Sequence, residues 1–272
     1  MTDLALPIIP SVLPLEKIHD ACDILTADPP EARWLVDDLM PAGYVLMLYS
    51  PEGVGKTVLA YNLAISVATN TPFLGRPTGS GTVLYLDEEN PDLYLHDLLS
   101  KMCRARGLKP TDLKNRLLFG RFALIGKRAE DWSALVERTV EILRPALIVL
   151  DTFSSILPFI ENVENDNALM RGMFRYIRAM KSRSPETTIL VLHHPAKRQK
   201  RPRGAGAIGQ DVDGYYSLNY VRGRYAKANH ITVLNPEKAR CLAGVHPIKV
   251  KPVMADEHSF DLTGGPIGPD DL

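Results

Sequence analysis

Residues 44–57 read Tyr-Val-Leu-Met-Leu-Tyr-Ser-Pro-Glu-Gly-Val-Gly-Lys-Thr. Tyr44 to Tyr49 is a short apolar run of strand length, and Val58 to Thr69 just beyond has helical periodicity. The order is strand, tight loop, helix. The first N–H groups of a helix lack intrahelical partners and carry the positive end of the helix dipole, so a loop wound onto them can hold phosphate oxygens. Gly53 and Gly55 let the backbone come close to such a ligand, with positive φ where needed. In the pattern G-x-x-x-x-G-K-[ST], the lysine (here Lys56) reaches the β- and γ-phosphates and the hydroxyl (here Thr57) sits on a magnesium ion. Glu52, Gly53, Val54, Gly55, Lys56, Thr57 and Val58 are therefore the expected nucleotide cradle, for ATP with Mg²⁺. Ser50 stands where the first glycine of the pattern belongs, a replacement the loop is expected to tolerate.

The chain has 272 residues, enough for one large α/β domain. Lys plus Arg equals Asp plus Glu at 32 each, so no bulk charge draws the protein onto nucleic acid or membrane, and any polyanion site must be local. Cys22, Cys103 and Cys241 have neither metal-site nor disulfide spacing, which suits a reducing compartment. The apolar stretch Leu4 to Leu15 is broken by Pro7, Pro10 and Pro14 and has no basic leader, so it does not read as a signal peptide. No run approaches the ~18 apolar residues of a membrane helix. The expectation is a cytoplasmic protein with no membrane partner. Residues 1–32 read as a proline-rich arm with one short helix around Leu15 to Leu25, residues 33–254 as the main domain, and residues 255–272 as a flexible tail with five acids and no Lys or Arg.

Within the main domain, apolar strands end in chemistry. Thr82 to Leu86 runs into Asp87, Glu88 and Glu89, at the carboxyl edge where open parallel sheets place ligands. A carboxylate there can polarise water for attack on a γ-phosphate. The alternative is that these acids cap the helix starting at Asn90-Pro91-Asp92. Ala146 to Asp151 reads as a buried strand whose terminal acid would support magnesium through its water shell. Thr187 to Leu192 is a further buried strand, ending in His193-His194, where an imidazole can hydrogen-bond the γ-phosphate. A metal pair is disfavoured there, because adjacent strand residues point to opposite faces. Next comes a basic run, Lys197, Arg198, Lys200, Arg201 and Arg203, followed by the small residues Gly204 to Gly209. Such a loop can grip a phosphate backbone without reading bases. Tyr215 to Tyr220 and His230 to Leu234 read as antiparallel strands around Arg222-Gly223-Arg224, and Ile248 to Val253 as part of a last hairpin.

The series Ser-Pro-x-Gly-x-Gly-Lys-Thr, Leu-Tyr-Leu-Asp-Glu-Glu-Asn-Pro, Leu-Ile-Val-Leu-Asp-Thr, Leu-His-His-Pro-Ala-Lys and Arg-Gly-Ala-Gly-Ala-Ile resembles the RecA-fold ATPases of the plasmid RepA hexameric replicative helicase type, over residues 33–253. The resemblance implies an α/β fold with a RecA-like P-loop NTPase core, a mostly parallel sheet flanked by helices, and a C-terminal antiparallel hairpin extension. It implies Glu89 as the catalytic glutamate with Glu88 as competitor, Asp151 as the Walker B acid and His194 as the γ-phosphate sensor. It also implies that Lys197 to Gly209 faces DNA in a ring, and that Lys238 and Arg240 reach the neighbouring subunit's nucleotide site as a trans finger. Asp213 departs from relatives that carry a basic finger in that region. The implied activity is an Mg²⁺-dependent ATPase, a hexameric helicase moving on single-stranded DNA, with other replication or recombination proteins as further partners. The alternative is a RecA/KaiC-like regulatory or recombination ATPase without processive unwinding.

Overall fold

The computed structural model describes residues 20–28, 33–121, 129–156, 167–194, 211–239 and 245–268. By its internal contacts the chain divides into Met1–Ala32 and Arg33–Leu272. In the first unit the described element is helix α1 (Ala21–Thr26). It starts at Asp20, whose carboxylate accepts the Cys22 backbone N–H at 2.7 Å, the side-chain cap that a helix start requires.

The second unit begins with a small antiparallel ribbon, β1 (Trp34–Val36) with β2 (Met40–Pro41). It then builds one nine-stranded sheet. Five strands and their helices alternate: β3 (Val45–Tyr49), α2 (Lys56–Thr69), β4 (Val83–Asp87), α3 (Asp92–Ala105), β5 (Leu117–Arg121), α4 (Ala129–Leu143), β6 (Leu147–Asp151), α5 (Asn167–Arg183) and β7 (Thr188–His193). After β8 (Gly214–Tyr220) come a five-residue helix α6 (Arg224–Ala228), β9 (Thr232–Ala239), β10 (Ile248–Val253) and β11 (Asp261–Gly265). The strand order is β11-β10-β9-β8-β3-β7-β6-β4-β5. The pairs from β8 through β5 are parallel, whereas β8–β9, β9–β10 and β10–β11 are antiparallel. The α/β core with its antiparallel extension is the architecture expected from the sequence.

Strands β3, β4, β6 and β7 are buried at every residue, which is why they read as unbroken apolar runs. Alternate side chains serve two cores. Leu46, Leu48, Tyr85, Val149 and Leu190 meet Leu59, Leu63 and Val67 of α2 on one face. Val45, Met47, Leu84, Ile148 and Ile189 meet Val140 of α4 and Phe174, Ile177 and Met180 of α5 on the other. This is a sheet covered on both sides, held by the period-two alternation of strand side chains.

The tail differs from expectation. Residues 261–265 form β11, which pairs with β10 from Lys249↔Gly265 to Val253↔Asp261. The stretch lacks local cations, and its partner comes from far along the chain: Arg106, at the end of α3, donates Nε and Nη2 to the two oxygens of Asp261 at 3.0 and 2.9 Å. Arg106 Nη1 also donates to Ser66 Oγ of α2 at 2.8 Å. A bidentate guanidinium–carboxylate pair supplies the anchor that local composition lacks. Arg222 and Gly223 form a turn, as expected, but Arg224 opens α6. Asp213, where some relatives carry a basic finger, accepts the Val45 backbone N–H at 2.9 Å and so helps start β3.

Candidate nucleotide site

Register gathers the functional strand ends. Tyr49 lies opposite His193 on one side and Ser217 on the other, and Asp87 lies opposite Asp151. The loops leaving β3, β4, β6 and β7 therefore emerge at one carboxyl edge, and β3 sits between strands reached by connections in opposite directions, a topological switch point.

The loop 50–55 is shaped by two glycines. Gly53 has φ +75° and Gly55 φ +107°, and a Cβ on either would meet nothing within 4 Å. Backbone conformation, rather than space, demands glycine at both positions. Ser50 is absent from the described positive-φ residues, so the first position of the motif needs no glycine here. Helix α2 starts at Lys56 with Gly55 as its cap and no side-chain cap, leaving its N-terminal N–H groups to serve a ligand.

Lys56 is buried at 6% exposure, and its ammonium donates to the Ser50 carbonyl at 3.1 Å and lies 3.3 Å from Ser50 Oγ and 3.4 Å from His194 Nδ1. Burial lowers its pKa, while Asp151, Glu89 and Glu52 pull it back up. The carbonyl contact would be open to any residue at position 50, and the Ser50 hydroxyl adds a second one that glycine lacks.

The three acids after β4 divide their roles. Asp87 is fully buried and accepts from the Tyr61 hydroxyl, from Arg121 at 3.1 Å, and from the Asn90 and Glu89 backbone N–H groups at 2.9 and 3.3 Å. It organises the turn ahead of α3 and does not cap the helix, whose N-cap Pro91 has no side-chain cap hydrogen bond. Glu88 is buried at 2% exposure, and its backbone N–H donates to the Asp151 carbonyl at 2.7 Å. Glu89 is exposed, lines the cavity beside the loop, and accepts the Thr152 hydroxyl at 2.9 Å.

Asp151 is fully buried. Burial pushes its carboxyl up to about 6, against the hydroxyls of Tyr85 and Thr57, which hold it down. Tyr85 donates to Oδ2 at 2.7 Å, while Oδ1 is buried with no hydrogen-bond partner among the described residues. A buried carboxylate oxygen without a donor is costly unless something positive meets it. Together with the Thr57 hydroxyl, this oxygen fits a hard cation held through water and phosphate oxygens. Among the described residues no group of three His, Cys, Asp or Glu is placed to hold a metal ion.

Lys56, Thr57, Glu89, Thr152 and His194 face one cavity of about 870 Å³. Glu52 to Val58, Glu89, Thr152 and His194 form its polar end. Segments from β8 to β11 line the cavity with Leu218, Ile231, Val250, Pro252, Phe260 and Leu262, together with the polar Asn229, His230, Thr232 and Lys251. The volume suits a nucleotide-sized ligand, with the phosphate loop to meet phosphates and the apolar side chains of β8, β10 and β11 available to a base.

All seven cradle residues, Glu89 and His194 line this cavity; Asp151, next to the lining residue Thr152 in sequence, is buried and does not line it. Lys238 lies on β9 and does not line it; its ammonium donates to the Val212 carbonyl at 2.8 Å. Arg240 and the run Lys197, Arg198, Lys200, Arg201 and Arg203 fall outside the described residues. Sequence reasoning missed Thr152, Tyr94, Tyr225, His230 and the β10–β11 wall. Thr152 had a signal in its place directly after the strand-end acid Asp151; the others had none, because they reach the cavity through tertiary packing.

The fold is similar to that of a KaiC-like protein from the hyperthermophilic archaeon Pyrococcus horikoshii OT3, with a TM-score of 0.60 at 13% identity over 85% of this chain and 94% of that one. Among the described residues no helix is long and apolar enough to cross a membrane. The family model described as an AAA domain matches residues 13–200. That match spans most of the chain, and with the RecA-type sheet and phosphate loop it identifies the protein as a member of the AAA domain family of P-loop ATPases.

Proposed function

We propose that the protein hydrolyses ATP with Mg²⁺ and uses the energy as a ring-shaped, RepA-like motor on single-stranded DNA. The observation that carries the hydrolytic part is the meeting of four strand ends in one cavity: the phosphate loop after β3, Glu89 after β4 with its partner Thr152 after β6, and His194 after β7 beside Lys56. Lys56 would leave the Ser50 carbonyl for the β- and γ-phosphates. Glu89 would take a proton from a water placed behind the γ-phosphate, with the Thr152 hydroxyl fixing the orientation of its carboxylate. Thr57 and Asp151 would hold the magnesium ion, which when bound offsets charge on the β- and γ-phosphate oxygens. His194, next to Lys56, would register the presence of the γ-phosphate.

The DNA-motor reading rests on the sequence resemblance and on the run of five cations between Lys197 and Arg203, which follows β7 and its histidines. In a ring, Lys238 and Arg240 would serve the neighbouring subunit's site. The alternative keeps the same fold: a RecA/KaiC-like regulatory or recombination ATPase that assembles with partners and lacks processive unwinding.

The deciding experiment is Mg²⁺-dependent ATP hydrolysis with and without single-stranded DNA, using K56A as the control. A motor is stimulated strongly by DNA and separates strands in a duplex assay. Hydrolysis indifferent to DNA favours the regulatory ATPase, and hydrolysis retained by K56A removes the site assignment.

A further inference from the structure

The tip of the phosphate loop is tied to a residue 167 positions away. Tyr220, the last residue of β8, donates its hydroxyl to the Gly53 carbonyl at 3.0 Å. The same oxygen lies 3.3 Å from Nδ1 of His230, and the two rings pack with centroids 6.1 Å apart. A phenol has one proton. With that proton given to Gly53, the contact with His230 requires Nδ1–H as donor and the tyrosine oxygen as acceptor. His230 itself lines the cavity, in the corner that follows α6, and holds a left-handed backbone at φ +51°.

We propose that Tyr220 is a positioning residue, a strut that couples the phosphate loop to the α6 corner on the nucleoside side of the cavity, with His230 setting the direction of its hydroxyl. The inference rests on the reading of the cavity as a nucleotide site. Gly53, at φ +75° with open space around it, has nothing in its own side chain to stiffen the loop. The Tyr220 hydroxyl fixes the carbonyl of that residue before any ligand arrives. β8 pairs directly with β3, the strand that delivers the loop, so the strut closes a short ring: β3, loop, Tyr220, β8. Such pre-ordering favours ground-state and transition-state binding alike, so it acts on affinity rather than on turnover.

The test uses the full-length protein, with a fluorescent ADP analogue for equilibrium binding, steady-state ATP hydrolysis, and unfolding temperature without nucleotide. Y220F removes only the hydroxyl and should raise both Kd and KM by about three- to tenfold, with kcat within about twofold of wild type. H230N and H230D form a matched pair, since both residues tolerate positive φ. Asparagine can still donate to the tyrosine oxygen and should bind like wild type. Aspartate can only accept, drawing the proton away from Gly53, and should weaken binding as Y220F does; in the Y220F background it should add little. Y220F with wild-type Kd overturns the strut, as does a rise in Kd accompanied by loss of folded protein at the assay temperature. H230D that weakens Y220F as much as it weakens the wild type overturns the role of His230, because charge alone then accounts for it. A wild-type chain that binds no adenine nucleotide defeats the nucleotide reading itself, and the strut with it.

Discussion

The ammonium of Lys56 lies 3.4 Å from Nδ1 of His194, while the same ammonium donates to the Ser50 carbonyl at 3.1 Å. An ammonium has no lone pair, so Nδ1 is the acceptor and the imidazole carries its proton on Nε2. Lysine and histidine thus form a single polar unit at the point where a γ-phosphate would enter. Phosphate oxygens would take the lysine's protons and leave Nδ1 without its donor, so histidine and lysine respond to the same event.

Replacement of His194 therefore separates sensing from binding. In H194A, Lys56 keeps its two Ser50 contacts and the loop its shape. ADP affinity should stay within about threefold, while kcat falls by about ten- to a hundredfold. Single-turnover hydrolysis alongside equilibrium binding makes the comparison. A large loss of ADP affinity with unchanged turnover would instead assign His194 to the binding of the diphosphate.

Glu88 and Glu89 are neighbours with opposite surroundings, one buried at 2% exposure and the other lining the cavity with Thr152 at 2.9 Å. E89Q should lower kcat by about 10²- to 10⁴-fold and leave ATP binding intact, because the amide keeps the size and loses the base. T152V removes the donor that orients Glu89 and should cost about tenfold. E88Q should hydrolyse ATP within about threefold of wild type, with any loss appearing in unfolding temperature. The reverse ranking of the two glutamine variants would transfer the base to Glu88.

Asp151 makes the nucleotide-free protein sensitive to pH with an unusual sign. Its folded pKa of about 6 lies above the ordinary unfolded value near ~3.9, so between these limits the folded state binds more protons than the unfolded one. Its contribution to stability falls as pH rises from about 4 through about 6, and is flat above. The loss is of order 3 kcal/mol at most. D151N abolishes that slope: without metal or nucleotide its advantage over wild type in denaturant unfolding should grow between pH 4.5 and 7. Magnesium with ADP requires the ionised carboxylate, so the rise in unfolding temperature that they produce should be larger at pH 8 than at pH 5.5 in wild type and small in D151N at either pH. Equal slopes for the two proteins without metal would show that burial does not perturb this carboxyl.

The polar half of this site was legible because buried parallel strands leave a plain record. Val45 to Tyr49, Val83 to Leu86, Leu147 to Leu150 and Thr188 to Leu192 have no exposed face, so the first polar group after each apolar run marks the sheet edge. That rule finds Asp87, Asp151 and His193; Glu89 and His194 lie beyond those first polar residues and are singled out by the resemblance to RecA-fold ATPases. The rest of the cavity left no such record. Tyr225 follows the connection read around Arg222-Gly223-Arg224, His230 reads as the start of a strand, and Phe260 and Leu262 sit among acids, Gly and Pro in a stretch with the composition of a disordered tail. What holds them is Arg106 on Asp261, a contact across 155 residues that no local window contains.

That contact makes the tail a working part of the fold. Arg106 and Asp261 are 9% and 27% exposed, so removing either leaves a largely dehydrated charge without its partner, and R106A or D261A should each cost about 3 kcal/mol. The double variant should cost clearly less than the sum, because the two deletions remove one interaction. Truncation after Met254 removes β11 together with Phe260 and Leu262, which line the cavity and pack on the α2-side core. The truncated chain should unfold at a lower temperature and bind the ADP analogue at least about tenfold more weakly, while inorganic pyrophosphate, which needs only the polar end, should lose much less. A truncated protein with wild-type unfolding temperature and ADP affinity would return residues 255–272 to the status of a free tail and leave the base end of the cavity to β8, α6 and β10 alone.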